Sequence, residues 1–186
     1  NCILKVTKYM EEGIKIRVGF CGYRDHCDGD DRLHIFPFTN SYEDFESDLS
    51  SISAMGGGDI PEDVLGGLDA AVNQMTWRNK IRVIFHVGDA PPHGRRFTSI
   101  SDDYPEGDPK NLTAEDVLGR MKSANIFYFF GKVNKLTKNM VNIFHSIIGD
   151  FSEFDLENVE GNPEALVSKF FEATCSAINT AVSLNE

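Results

Sequence analysis

From Ile14 onward the chain alternates two kinds of hydrophobic spacing. Ile14, Ile16, Val18 and Phe20 in IKIRVGFCGY recur at every second residue, the period of a strand with one buried face. LHIFPFT, from Leu33, predicts a second short strand, and its internal Pro37 suits an edge because proline cannot donate to a ladder. In SYEDFESDLSSI, Phe45, Leu49 and Ile52 switch to helical spacing. The strongest helical signal covers residues 61–75, where Val64, Leu65, Leu68, Ala71, Val72 and Met75 form one stripe. Gly66 and Gly67 inside that stripe each cost ~1 kcal/mol relative to alanine. Their presence predicts close packing of this turn against a neighbouring backbone.

KIRVIFHVGD is mostly apolar, as expected of a strand covered on both faces. A long polar loop, 90–112, leads to a helix that Thr113 can cap and that buries Val117, Leu118, Met121 and Ala124. IFYFFGK predicts another buried strand, followed by a helix near 136–148 and a strand in FSEFDLE. Asn162-Pro163-Glu164 opens the last helix, which turns Val167, Phe170, Phe171, Thr174, Ile178 and Ala181 inward. Strands alternating with helices predict an α/β fold: three αβα layers around a Rossmann-like, open, mostly parallel sheet. The opening NCILKVTKYMEEG reads as a helix cut in from something longer.

Composition narrows the partners. The 186 residues suit a single domain spanning 1–186. A formal charge of −11 argues against nucleic acid or anionic lipid, which need a basic face. No apolar run approaches a membrane span, and the N-terminus lacks the layout of a signal peptide. None of Cys2, Cys21, Cys27 and Cys175 forms a CxxC pair. Cys21, His26, Cys27 and His34 match no common zinc spacing, so reduced thiols in a cytoplasmic protein are the expectation. The Asn111-Leu112-Thr113 sequon alone carries little.

GGGDIPEDV, residues 56–64, is the segment with chemistry in it. Ligands of such sheets bind beyond the carboxyl ends of the strands, where Asp89 follows IRVIFHVG and Asp59 follows the glycines. Two carboxylates with little basic residue nearby suit a hard divalent cation, Mg²⁺ or Mn²⁺ before Ca²⁺. Gly56, Gly57 and Gly58 would let the backbone approach it. The same acids also read as structure: Asp59, Glu62 and Asp63 favour a helix start, and Asp89 favours a turn. A phosphate site is the rival, but the loop lacks a P-loop lysine and its acids would repel phosphate.

His86 reads as a packed core histidine and Trp77 as a packing residue. His93, in DAPPHGRRF, stands at the edge of the predicted site, where it contacts a partner or is only solvated. Arg24 and Asp25 are expected to pair or to fix their loop, and the acid-rich Asp102–Asp108 stretch to be a solvated loop. No nucleophile with its base is recognisable.

GGGDIPEDVLGGLDAAV followed by IRVIFHVGDAPPHG resembles the von Willebrand factor type A domain. GYRDHCDGD, GGGDIPED, DAPPHG and DDYPEGDP look like the version found beside alpha-type serine/threonine protein kinases. The resemblance runs from about residue 12 to the C-terminus. It implies a six-stranded sheet, a protein-binding role and a metal-ion-dependent adhesion site with ligands from three loops. Asp59 stands where many members carry threonine, and Asp89 matches the aspartate after the fourth strand. The Asp-x-Ser-x-Ser loop of the first, central strand has no match here; Asp48–Ile52 and Asp150–Phe154 both fail. Without that strand two neighbours lose a partner, at ~1–3 kcal/mol per unpaired buried group. The expectation is therefore an upstream strand in the natural protein, or another segment in its slot, and an incomplete metal site in this chain. Two other readings stay open: an acid-using hydrolase or transferase, and a structural domain with a decayed metal site.

Overall fold

The computed structural model describes residues 15–156 and 163–184. The predicted opening helix lies outside them. Strand β1 (Val18–Tyr23) forms an antiparallel hairpin with β2 (Leu33–Thr39), with a register irregularity between Val18 and Phe20. Pro37 is exposed on β2, whose only strand partner among the described residues is β1. Helix α1 (Tyr42–Ser50) is capped by Ser41, whose hydroxyl accepts from the Asp44 amide at 3.3 Å. After the glycine loop come α2 (Val64–Asn73), β3 (Val83–Gly88), α3 (Ala114–Ser123), β4 (Phe127–Lys132), α4 (Lys138–Ile148), β5 (Glu153–Asp155) and α5 (Pro163–Ser183). Strands β3, β4 and β5 form a parallel sheet in that order, with Val83 opposite Phe127 and Phe130 opposite Glu153.

Alternation along β4 builds the layers. Tyr128 and Phe130 face one way, into a core with Val64, Leu68, Val117, Leu118, Met121, Met140 and Phe144 of α2, α3 and α4. Phe127 and Phe129 face the other way, against Ala177 and Ala181 of α5. Both faces of the strand are therefore dry, which explains its unbroken apolar sequence.

Among the described residues β1 and β3 are not paired with each other, so the sheet consists of two pieces. The face of this seam is crossed by side chains instead. The Tyr23 hydroxyl reaches His86 Nε2 at 2.6 Å, and His86 Nδ1 reaches the Tyr128 hydroxyl at 2.7 Å. Burial drops the His86 pKa to about 3, so the ring is neutral, with one nitrogen donating and the other accepting. His86 is thus a core histidine, as its apolar strand predicts.

The glycines of α2 show what close packing serves. A Cβ on Gly67 would lie 2.4 Å from the Tyr23 ring, and the Cys21 thiol donates to the Gly67 carbonyl at 3.3 Å. The neighbour is a side chain of β1, where the sequence suggested a backbone. The helix also starts later than expected. Asp63 caps it by accepting from the Gly66 amide at 2.9 Å, while Glu62 forms an isolated parallel bridge with Pro92. Trp77 packs edge-on against Phe38, its indole N–H donating to the Ala71 carbonyl at 3.0 Å.

Candidate functional site

Three loops meet at the carboxyl ends of β1 and β3, and their own polar groups shape them. After β1, Asp25 caps a short 3-10 turn, His26–Arg32, that no apolar periodicity announces. Its carboxylate accepts from the His26 amide at 2.5 Å, and Asp28 returns a bond from the Asp25 amide at 3.1 Å. Arg24 does not pair with Asp25. Its guanidinium spans the Asp31 carbonyl, the Ser53 carbonyl and His34 Nε2 at 2.6, 3.0 and 2.7 Å.

The glycine loop is bent over the Asp28 side chain. Gly56 and Gly57 have φ of 97° and 92°, in the left-handed region that side chains disfavour. The Gly57 amide donates to both Asp28 oxygens at 3.2 and 3.0 Å, and a Cβ on Gly56 would sit 2.5 Å from that carboxylate. Further on, the Glu62 amide donates to the Pro91 carbonyl at 3.0 Å and the Asp63 amide to the Arg24 carbonyl at 3.2 Å. The loop is thereby joined to both of its neighbours.

Two histidines fill the space between the loops. His93 is 2 % exposed and lies between two carboxylates, with Asp102 at 2.7 Å from Nδ1 and Asp25 at 2.8 Å from Nε2. Burial alone would lower its pKa, but Asp102 and Asp25 together outweigh that and raise it. Burial likewise opposes ionisation of Asp25, yet its bonds from His93, Cys27 and the His26 amide hold its pKa down. Asp102 is anchored by the Gly94 and Tyr104 amides at 2.6 and 2.8 Å. His26 lies between Asp63 and Asp108, with Arg32 against the far side of Asp63. Tyr104 stands edge-on to both imidazoles, at 5.3 Å from His26 and 5.0 Å from His93.

This corrects two expectations. His93 neither faces out of the rim nor is solvated; both its nitrogens are engaged inside. The Asp102–Asp108 stretch is not simply a solvated loop, because Asp102 and Asp108 supply buried charges at its two ends. Nor do Cys21, His26, Cys27 and His34 converge: Cys21 bonds Gly67, Cys27 bonds Asp25 and His34 meets Arg24.

The predicted metal residues fall in two adjoining places. Asp59 accepts from the Asp103 amide at 2.6 Å, while its other oxygen is buried with no hydrogen-bond partner. One ligand atom each from Asp25, Asp59 and His93 lie within 4.8 Å of one another. Asp89 is exposed and belongs to neither of the two groupings of potential ligands among the described residues. It lines a cleft of about 560 Å³ at the end of the seam, together with Tyr23, Glu62, Gly56 and Gly57. Burial, then the charges of Asp25, Asp28 and Asp89, push the Glu62 carboxyl up to about 7. One Glu62 oxygen is buried and has no hydrogen-bond partner. Gly58 lies beneath the first group, where a Cβ would be 3.5 Å from Asp25 Oδ2. What gathers here is negative charge with unfilled oxygens, which attracts cations and repels phosphate.

No family model matches the chain. A curated relative, the alpha-protein kinase vwkA of Dictyostelium discoideum, is 35% identical over 183 residues. That match covers 97% of this chain and 29% of the relative's length. Among solved structures, the SpRpn10 VWA domain aligns with a TM-score of 0.58 at 12% identity, covering 94% of this chain and 81% of that one. No helix among the described residues is long and apolar enough to cross a membrane. The chain therefore has the von Willebrand factor type A fold and is similar in sequence to a segment of an alpha-type protein kinase.

Proposed function

We propose that this is a non-catalytic protein-binding module that recruits a protein partner through a divalent cation, Mg²⁺ or Mn²⁺, at its acidic rim. Asp89 would coordinate the ion directly or through water, Asp59 would complete its shell, and Gly57 and Gly58 would let the backbone approach. His93 would support the arrangement from below. The observation that carries the reading is the buried Asp59 oxygen without a hydrogen-bond partner, beside a cleft lined by Glu62 and Asp89. Such an oxygen fits a hard cation, which takes carboxylate ligands. The residues at hand supply part of a coordination shell. A further strand in the seam between β1 and β3 would bring the rest.

By its similarity to vwkA, the module would belong to a larger cytoplasmic alpha-type serine/threonine protein kinase, which it localises or directs to substrates. Cys21 and Cys27 are free thiols, which agrees with a reducing compartment.

The test is thermal melting of a protein extended upstream by one strand. A saturating ion at 100 times its Kd adds about 2.7 kcal/mol, which is roughly 5–10 °C for a domain of this size. Asp89→Ala should remove that gain. A midpoint indifferent to ions would leave the acidic rim as a structural relic, and an ion effect untouched by Asp89→Ala would exclude this ligand set.

A further inference from the structure

We propose a second, separate metal centre: His26, Asp63 and Asp108 hold one borderline divalent ion, Zn²⁺, that pins the three loops together. The three side chains come from the turn after β1, the cap of α2 and the long loop after β3, and are 5, 0 and 4 % exposed. His26 Nε2 lies 3.4 Å from Asp63 Oδ1 and 3.2 Å from Asp108 Oδ2. One ligand atom from each residue lies within 4.8 Å of the other two.

These distances would suit hydrogen bonds, yet none forms. His26 Nε2 and Asp108 Oδ2 are both buried without a hydrogen-bond partner. At 3.4 and 3.2 Å, the failure to bond means that these oxygens stand off the N–H direction. Ligands about 2.0–2.2 Å from a tetrahedral ion are spaced about 3.3–3.6 Å apart, close to the two separations seen. An imidazolium ion pair would instead direct its N–H at one oxygen.

The acids are also held from behind, as ligands of a metal usually are. Asp108 Oδ1 accepts from the Lys110 and Leu112 amides at 2.7 and 3.1 Å. Asp63 accepts from the Gly66 amide, and its far oxygen is met by Arg32. One imidazole nitrogen beside two carboxylate oxygens selects Zn²⁺ over Mg²⁺ and Ca²⁺, which take oxygen shells. The centre shares no ligand with Asp59 and Asp89, and its existence does not depend on the rim's function.

The experiment strips the full chain with a chelator, returns Zn²⁺, and measures stoichiometry and affinity by elemental analysis and competition with a chromophoric chelator. One Zn²⁺ per chain is expected, weakened at least 100-fold by His26→Gln and by Asp108→Asn and unchanged by Asp89→Ala. That last variant separates this centre from the Mg²⁺ reading, since each can fail while the other stands. Absence of bound Zn²⁺ overturns the proposal. So does a loss caused by His93→Gln but not by His26→Gln, which would put the ion at Asp25, Asp59 and His93. Co²⁺ in the unmutated chain gives a readout independent of variant folding. An intense d–d band without thiolate charge transfer is expected, while a band with thiolate charge transfer, or no d–d band, refutes the ligand set.

Discussion

Replacing His86 with glutamine should change how the protein responds to acid more than how it behaves at neutral pH. The imidazole is 6 % exposed, and its two nitrogens are engaged by Tyr23 and Tyr128. Glutamine still offers a donor and an acceptor but cannot reach both hydroxyls at once, so a cost of about 1–3 kcal/mol is expected at pH 7. In the unfolded chain histidine takes a proton below its ordinary 6.5, whereas the folded ring refuses it until about 3. Stability from this source is therefore fully present above pH 6.5 and falls as pH drops towards 3. The whole window corresponds to roughly 5 kcal/mol, of which roughly 2 is lost by pH 5. The glutamine protein lacks this loss, while both proteins share the titration of their carboxylates. Urea unfolding at pH 7, 6 and 5 should show wild type ahead at pH 7 and the gap closed by pH 5. In melting temperature the wild type should lose roughly 4–8 °C relative to the variant over that range. A gap that stays constant between pH 7 and pH 5 would refute a neutral, enclosed imidazole.

Two further substitutions probe the loops and the helix. His93→Gln leaves Asp25, itself 0 % exposed, as a buried charge without its cation, and should cost roughly 3–5 kcal/mol by urea unfolding at pH 7; a cost below 1 kcal/mol would show that His93 is not clamped. Gly67→Ala should destabilise by roughly 1–3 kcal/mol although alanine is the better helix former, because its methyl would overlap the Tyr23 ring; thermal melting that shows a gain would sink that account.

The layers were legible in the sequence because hydrophobic period survives as packing. Phe127 to Phe130 alternate between two cores, and the stripe through Val64, Leu65 and Leu68 is buried as spaced. Boundaries were less legible: α2 begins only after Asp63 because a tertiary bridge between Glu62 and Pro92 holds the preceding residues extended. The 3-10 turn at His26–Arg32 was invisible, since its stability comes from Asp25 and Asp28 bonding to backbone and not from apolar spacing. At the site, Asp59 and Asp89 could be singled out from their motifs, but the companions of His93 could not. Asp25 lies 68 residues from it in sequence, and only loop conformation brings the two together. The signal that did exist was the density of acids and histidines in GYRDHCDGD and DDYPEGDP, too many for turns alone.

The divided sheet sets the pattern of amide hydrogen exchange. Strand β4 is bonded on both sides, so deuterium should enter its amides last, through the rarest and largest openings. In β1 and β3, ladder bonds within the described residues engage one edge of each strand, and successive amides point alternately to that edge and to the seam. A two-beat rhythm of slow and fast exchange along these strands would mark the seam residue by residue. A strand docking there would even it out.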